Sequence, residues 1–301
     1  MLQYDRVESS DRHLTIGGVV VRLASQHGPA PWYLRNIYRP FRVAPCEPDV
    51  IVRLLLDTDP PPAEGEVLFQ NLPYWRLREQ GRGSRRYEQL AKGGLFYRAM
   101  DIAVGAGEVD LYGSPAGRAV FAHDPIADQV LGALFDDHLD QLFFIHYLTE
   151  RRIGVIIHGA AVERDGRGYI FPAQPGGGKT TLARGVASGT IFTDDRTILR
   201  RGAGGLEIHG GPWYGELGLK SPGKAPLAGV YFLDKTAPPG LHPISPNEAF
   251  RELLHLSFPT YWDRAGLEFA MDTLEAALGE VPIARLGFRL GEDVLAIVDR
   301  A

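Results

Sequence analysis

The sequence predicts a mixed α/β chain in two parts: a β-rich domain over residues 1–125, and an α/β domain over 126–301 built around a glycine-rich loop. Three observations carry this expectation. Short β-patterned segments separated by turn residues fill the first 125 positions. The pattern turns helical at Ile126. Further on, a predicted hairpin runs straight into three consecutive glycines that open a helix. The 301 residues sit at the upper edge of what one core supports, so one large domain or two of ordinary size fit. With 45% hydrophobic and 23% charged residues, the chain is not disordered in the main. Its 36 glycines and 22 prolines imply many turns and a large β component.

A net charge of −5 argues against a general binder of nucleic acid or of anionic membranes, either of which wants a basic balance. One cysteine, Cys46, excludes an internal disulfide and a cysteine zinc cluster, and fits a reducing compartment. The opening Met-Leu-Gln-Tyr-Asp-Arg has no apolar run, which predicts no secretory leader. Apolar stretches such as Leu142–Leu148 fall well short of the ~20 residues of a membrane helix. The expectation is a cytoplasmic protein.

The β candidates are, in order, Leu14–Ala24, Asp49–Leu56, Glu66–Phe69, Leu95–Val104, Glu108–Tyr112 across a Gly-Ala-Gly turn, and Arg118–Ala122. Asp59–Pro62 marks a surface loop. Arg76, Arg78, Arg82, Arg85 and Arg86 alternate with Tyr74, Trp75 and Tyr87. They read as a solvated, glycine-broken loop, with an anion- or peptide-binding loop as the alternative. From Ile126 to Arg152 one helix is predicted, a strut carrying Ile126, Val130 and Leu134 on its apolar face and Asp136, Asp137 and Asp140 opposite. His138 and His146 take packing or surface roles within it. A hairpin follows, Gly154–Val162 and Tyr169–Phe171 about Asp165-Gly166, then a helix from Lys179 and a strand Thr190–Phe192. Gly229–Leu233 reads as a buried strand, and Ser245-Pro246-Asn247-Glu248 as a capping box opening a helix. A last helix over Leu267–Leu278 stops at Gly279, and two strands, Ile283–Leu290 and Val294–Val298, end the chain.

The chemistry concentrates in a short stretch. Ala173, Gln174, Pro175, Gly176, Gly177, Gly178, Lys179 and Thr180 fit the phosphate-loop pattern with alanine for the first glycine. Glycines let backbone N–H groups converge on phosphate oxygens, and the helix N-terminus adds its positive end. Lys179 is placed for β/γ phosphates and the Thr180 hydroxyl for Mg²⁺, with Thr181 next in line. Asp194-Asp195 ends an apolar strand 15 residues after Lys179. Two adjacent carboxylates can divide the work, one as general base and one holding the metal or its water. His158 lies on an apolar strand 21 residues before Lys179, where a satisfied core histidine and a catalytic one are both open. Glu216 and Lys220 lie in an aromatic segment that could line an acceptor site or form a rigid loop on the sheet edge.

The order His158-Gly159, hairpin, phosphate loop, Asp194-Asp195-Arg196 resembles the catalytic domain of the HPr kinase/phosphorylase family, whose P-loop fold is shared with phosphoenolpyruvate carboxykinase. Lys-Thr-Thr-Leu at 179–182 is closer to the carboxykinase wording. The resemblance covers roughly residues 150–301, with its motifs at 154–200. It implies an ATP-dependent, Mg²⁺-requiring kinase that phosphorylates a Ser/Thr-type hydroxyl of a protein or ribosomal peptide. It also implies that His158 sits beside the catalytic aspartate, that Lys179 and Thr180 bind phosphate and metal, and that Asp194 is the acid/base. Two features depart from the family. Thr181 stands where HPr kinase has an acidic residue, and the family's phosphorolysis stretch is replaced by His209-Gly-Gly-Pro-Trp213-Tyr214-Gly215-Glu216. That Pro-Trp-x-Gly-Glu wording resembles HPr-kinase-like proteins of modified-peptide gene clusters, including kinases of a peptide serine. A nucleotide-sensing binding module and a simple NTPase are the rival expectations; Ala173 and Thr181 favour the sensor, and Asp194-Asp195 with His158 favour transfer. Homo-oligomer formation is left open.

Overall fold

The computed structural model describes residues 3–26, 32–81, 83–91, 94–103, 105, 107–136, 138–186 and 189–299. Arg82, Val104, Ala106 and Asp137, which figure in the expectations above, lie outside the described residues. The chain is mixed α/β with large sheets. Contacts divide it into two units, Met1–Thr15 with Val19–Glu150, and Ile16–Gly18 with Arg151–Ala301. No helix among the described residues is long and apolar enough to cross a membrane.

The first unit contains β1 (Tyr4–Val7), β2 (Asp11–Ile16), β3 (Val19–Ser25), β4 (Trp32–Arg35), β5 (Arg42–Val43) and β6 (Val50–Leu55). It continues with β7 (Val67–Asn71), β8 (Trp75–Glu79), β9 (Ser84–Leu90), β10 (Phe96–Ala103) and β11 (Glu108–Gly113). Three helices follow, α1 (Gly117–Val120), α2 (Ala127–Gly132) and α3 (Leu139–Glu150). Among the described residues the main sheet runs β5-β2-β3-β6-β11-β10-β9-β8-β7, and β1 pairs with β4 apart from it. Strand β6 shows why such segments extend: Val50, Val52 and Leu54 are buried while the residues between them are half-buried, the period of two of a strand.

Several expectations for this unit are corrected. Leu14–Ala24 is two strands, because Gly17 and Gly18 at φ 58° and 70° turn the chain between them. Arg76, Arg78, Arg85 and Arg86 are not in a loop: they lie on β8 and β9, where Arg76 pairs with Glu88 opposite it and Arg86 binds Asp101 across to β10. Arg118–Ala122 holds a helical turn, α1, started by Ser114, whose hydroxyl accepts the Ala116 amide at 3.2 Å. The strut is two helices broken at Ala133–His138. The break drives carboxylates inward. Asp136 meets Arg35 at 3.1 Å and Asp140 meets the Tyr38 hydroxyl at 2.5 Å. Burial pushes the Asp136 carboxyl up to about 6, against the pull of Arg35.

The second unit contains β12 (Gly154–Arg164), β13 (Arg167–Pro172), α4 (Lys179–Gly185), β14 (Thr190–Thr193), β15 (Arg196–Gly202) and β16 (Gly205–His209). It ends with β17 (Lys224–Leu233), β18 (Gly240–His242), α5 (Pro246–His255), α6 (Arg264–Glu280), β19 (Ile283–Gly287) and α7 (Val294–Val298). The sheet order is β13-β12-β15-β16-β17-β19-β18, with β14 on β12 and a parallel β13–β17 pairing that closes β12, β13, β15, β16 and β17 into a ring. Alternation along the strands splits the core in two. Ile170, Val230 and Phe232 join Leu253 of α5 and Leu274 of α6, while Tyr169, Phe171 and Tyr231 join Leu182 of α4 and Leu295 of α7.

The hairpin, the helix at Lys179 and the capped helix at Ser245 appear as expected, the Ser245 hydroxyl accepting the Glu248 amide at 3.3 Å. The last helix runs on past Gly279 to Glu280. Val294–Val298 is a helix instead of a strand, because Asp293 caps the Leu295 amide and Val294, Leu295 and Val298 share one buried face.

Removing the cap with Ser245→Ala should cost about 1 kcal/mol. Leu253→Ala, emptying a fully buried position in the same helix, should cost ~2–5 kcal/mol. Urea unfolding monitored by circular dichroism checks both, and an equal cost for the two would mean that α5 is not docked by its Leu253 face.

Candidate functional site

A two-residue break in the strand beside β12 creates the site. Residues Gly154–His158 pair antiparallel with β15, whereas Ala161–Glu163 pair with β14. The bend joining β14 to β15 along one edge of β12 is Asp194-Asp195, so it lies against His158 and Gly159. The Gly159 amide donates to Asp195 O at 2.8 Å, and Thr197 Oγ1 donates to Gly159 O at 2.9 Å. A Cβ at Gly159 would come within 3.1 Å of Phe171 and Pro172 backbone atoms, tighter than ordinary contact. On the other side of β12, the Ala173 amide donates to His158 O. The glycine-rich loop therefore departs from β13 directly opposite His158.

The loop geometry follows from its glycines. Gly176 and Gly178 hold φ 76° and 110°, and a Cβ on Gly177 would meet that of Ala173 at 2.8 Å. The alanine in place of the first glycine is thus accommodated by the absence of a side chain at Gly177. Gly178 caps α4, and Lys179 begins it, 8% exposed. Its Nζ donates to Ala173 O at 2.8 Å and Gln174 O at 3.2 Å, and contacts His158 Nε2 at 2.6 Å.

His158 Nε2 also lies 3.4 Å from Asp195 Oδ1. The imidazole was expected beside Asp194; the aspartate it meets is Asp195. Burial first, and then the Lys179 charge, bring the imidazole pKa down to about 4. The ring is neutral near neutral pH, and Nε2 accepts from Lys179. Burial lowers the Lys179 ammonium as well. Asp195 Oδ2 faces Arg196 Nη1 at 3.3 Å.

Asp194 does something different. It is 2% exposed, and its oxygens accept the Gly215 amide at 2.8 Å and the Leu217 amide at 2.9 Å. Thr193 Oγ1 donates to Trp213 O at 3.0 Å. The aromatic segment is thereby clamped over the Asp194 corner, and Glu216 Oε2 accepts from Thr180 Oγ1 at 3.3 Å. Lys220 turns to its own loop, its Nζ 4.4 Å from the Tyr214 ring centre and donating to Gly218 O.

One cavity of about 370 Å³ gathers these groups. Loop residues Pro175, Gly176 and Gly178 line it, followed by Lys179, Thr180 and Thr181. Opposite them stand His158, Asp194, Asp195 and Glu216. Arg184 and Lys235 line it too, and sequence reasoning missed both. Arg184 had a signal, since it follows Thr180 by one helical turn and shares its face. Lys235 had none: it follows β17, and only packing brings its side chain near Gly178.

Among the described residues no cluster of three or more His, Cys, Asp or Glu side chains is placed to hold a metal by itself. The Thr180 hydroxyl touching the Glu216 carboxylate, with Asp194 and Asp195 on the same cavity, is a hard oxygen set. Such a set suits Mg²⁺, which takes one or two carboxylates and completes its shell from phosphates and water. No family model matches the chain, and no curated protein matches it. The functional reading therefore rests on this geometry.

Two outcomes follow. Folding holds His158 neutral between about 4 and its ordinary 6.5, a window in which the unfolded chain binds the extra proton, so stability rises with pH there and is lost as pH falls toward 4. Wild type should lose more of its melting temperature between neutral pH and the lower end of that window than His158→Gln; parallel profiles would show that His158 does not carry the linkage. In Asp194→Asn one of two charge-assisted acceptors is lost, worth about 1.5–3 kcal/mol. Exchange of the Gly215 and Leu217 amides should then quicken by roughly 10- to 100-fold, with no such change in Asp195→Asn.

Proposed function

We propose that this chain is an ATP-dependent kinase of the HPr-kinase-like type, with a P-loop domain over its second half, that phosphorylates a Ser/Thr-type hydroxyl of a protein or ribosomal peptide. The observation that carries the reading is the convergence of Lys179, His158 and Asp195 at the mouth of the glycine-rich loop, in one cavity. Lys179 there has two carbonyls and a neutral imidazole as its close acceptors. Phosphate oxygens on the loop would give that ammonium an anionic partner, and the α4 N-terminus and Arg184 and Lys235 add positive potential at the same place.

The geometry favours Asp195 over Asp194 as the base. Asp194 spends both oxygens on backbone amides and anchors the aromatic segment. Asp195 reaches the cavity beside His158 and Arg196. In the proposed step the acceptor hydroxyl gives its proton to the Asp195 carboxylate while its oxygen bonds the γ-phosphorus. The bond from that phosphorus to the β,γ-bridging oxygen breaks, and ADP leaves. His158 accepts from Lys179 and holds its ammonium, Arg196 holds the Asp195 carboxylate, and Lys179 offsets charge on the transferring group, so catalysis is positioning and electrostatics. Mg²⁺, when bound, would neutralise and align the β and γ phosphates. Thr180 and Glu216 are the residues to hold it, Glu216 supplying from a distant segment the carboxylate that Thr181 lacks.

Three variants test the reading with the full chain. Lys179→Ala should weaken Mg·ATP binding by calorimetry. Asp195→Asn should keep that affinity while transfer of labelled phosphate to a peptide serine falls by ~10²–10⁴. Glu216→Gln should raise the Mg²⁺ concentration needed for nucleotide binding. Equal ATP affinity in wild type and Lys179→Ala would overturn the phosphate-loop assignment, and binding with no transfer by wild type would return the chain to a nucleotide sensor.

A further inference from the structure

Two segments share the β13 side of β12. From Gly159 to Arg164 that side belongs to β13 itself. Upstream, residues 256–258, which follow α5, take the place. The His158 amide donates to Leu256 O at 2.6 Å, the Phe258 amide donates to Ile156 O at 2.9 Å, and Ile157 bridges Ser257 antiparallel. The sequence supports this locally, since Pro259 follows Phe258 and a residue before proline is held in extended backbone. Side chains alternate across a sheet, so Phe258, opposite Ile156, emerges on the face that carries His158. Arg196 of β15 stands directly opposite His158 on that face.

The half-buried Phe258 ring meets both residues. Its plane lies 21° from that of the His158 imidazole with centres 6.4 Å apart, and Arg196 Cζ is 5.3 Å from its centre. The second contact is at cation–π distance. Arginine suits it, because a planar guanidinium stacks on an aromatic face while its N–H groups still reach a carboxylate. Each of the two side chains leads to a different group of the site. His158 Nε2 contacts Lys179 Nζ at 2.6 Å, and Arg196 Nη1 lies 3.3 Å from Asp195 Oδ2. One rigid ring therefore stands behind both the cation at the glycine-rich loop and the carboxylate at the bend.

We propose that Phe258 is a positioning residue of this site, its ring fixing His158 and Arg196 and, through them, the separation of the Lys179 ammonium from the Asp195 carboxylate. The role rests on the kinase reading, in which that separation spans the transferring phosphoryl group. Lys179 keeps the Ala173 and Gln174 carbonyls whatever occupies position 258. Nucleotide affinity therefore depends little on the ring, and turnover depends on it strongly.

Two variants of the full chain test it: Phe258→Leu, which keeps an apolar side chain without the flat face, and Phe258→Tyr, which keeps the ring. Turnover of Mg·ATP is measured with water and with a synthetic serine peptide as acceptors, and Mg·ATP affinity by calorimetry. Phe258→Leu should lower kcat by roughly 10- to 100-fold, the cost of a misplacement of about 1 Å, with affinity unchanged. Phe258→Tyr should keep most of the wild-type kcat. Phe258→Met takes the place of the leucine variant if that one does not fold. Side-chain NMR gives a readout that needs no turnover: the ring current of Phe258 should hold the Arg196 side-chain protons upfield in wild type and Phe258→Tyr, and not in Phe258→Leu. Wild type without turnover would refute the kinase reading alone, and the Arg196 shifts would then decide whether the ring fixes that side chain. The proposal is overturned if Phe258→Leu turns over Mg·ATP as wild type does, or loses affinity instead of kcat. It is overturned equally if Phe258→Tyr falls as far as Phe258→Leu, or if the Arg196 protons do not move.

Discussion

The strand that runs beside β12 is interrupted for two residues, and the candidate site depends on that interruption. β15 lies beside β12 up to His158 and β14 lies beside it from Ala161, both antiparallel and on the same edge, with His158 opposite Arg196 and Ala161 opposite Thr193, so the chain between them bends over two residues without turning back. Asp194 and Asp195 are those residues. The bend is held by the Gly159 amide on Asp195 O and by Thr197 on Gly159 O, while backbone atoms of Phe171 and Pro172 on β13 leave no side-chain volume to spare at Gly159. Because β13 pairs with β12 on its other side, the glycine-rich loop leaves the sheet at the same level. Three groups far apart in sequence thus meet without any of them lying on a long flexible excursion. Residues carried on paired strands and a helix start are held more closely than residues on free loops.

The adjacent aspartates illustrate how one bend separates two side chains. Successive residues of extended chain point different ways, so Asp194 goes inward to backbone amides and Asp195 toward His158 and Arg196. The inward carboxylate organises a second segment, residues 213–217, and through it places Glu216 against Thr180. A carboxylate 36 positions from Thr180 in sequence thereby stands beside the loop. The Lys179–His158 contact has a comparable logic. A buried ammonium and a buried imidazole coexist because the imidazole is neutral and accepts, which ties the protonation of one to the position of the other.

Polar burial in the first unit follows the opposite course. Asp136 and Asp140 were patterned as the wet face of a helix, yet the break at 133–138 turns them toward Arg35 and Tyr38. Once a carboxylate is inside, its partners must be inside too, which accounts for much of the arginine burial there. Arg86 and Arg76 are settled the same way by Asp101 and Glu88. Among the described residues of this unit, Arg98 keeps two guanidinium nitrogens without a hydrogen-bond partner, and Arg12 and Arg42 keep one each.

The sequence by itself determined the elements whose signals are local. Alternation set the strands such as Val50–Leu55, the Asp165-Gly166 hairpin and the capped helix at Ser245, and consecutive glycines before Lys179 marked the loop, since each depends on backbone preferences within a few residues. It also marked His158, Lys179, Asp194 and Asp195 as chemically apt. Only the tertiary structure decided that His158 belongs with Asp195, that Asp194 is a clamp, that Glu216 comes to Thr180, and that Lys220 does not reach the cavity. These are matters of strand register and of which face a corner residue takes. A one-residue change of register reverses every side chain on a strand, so pairing across the sheet carries information that no local pattern contains.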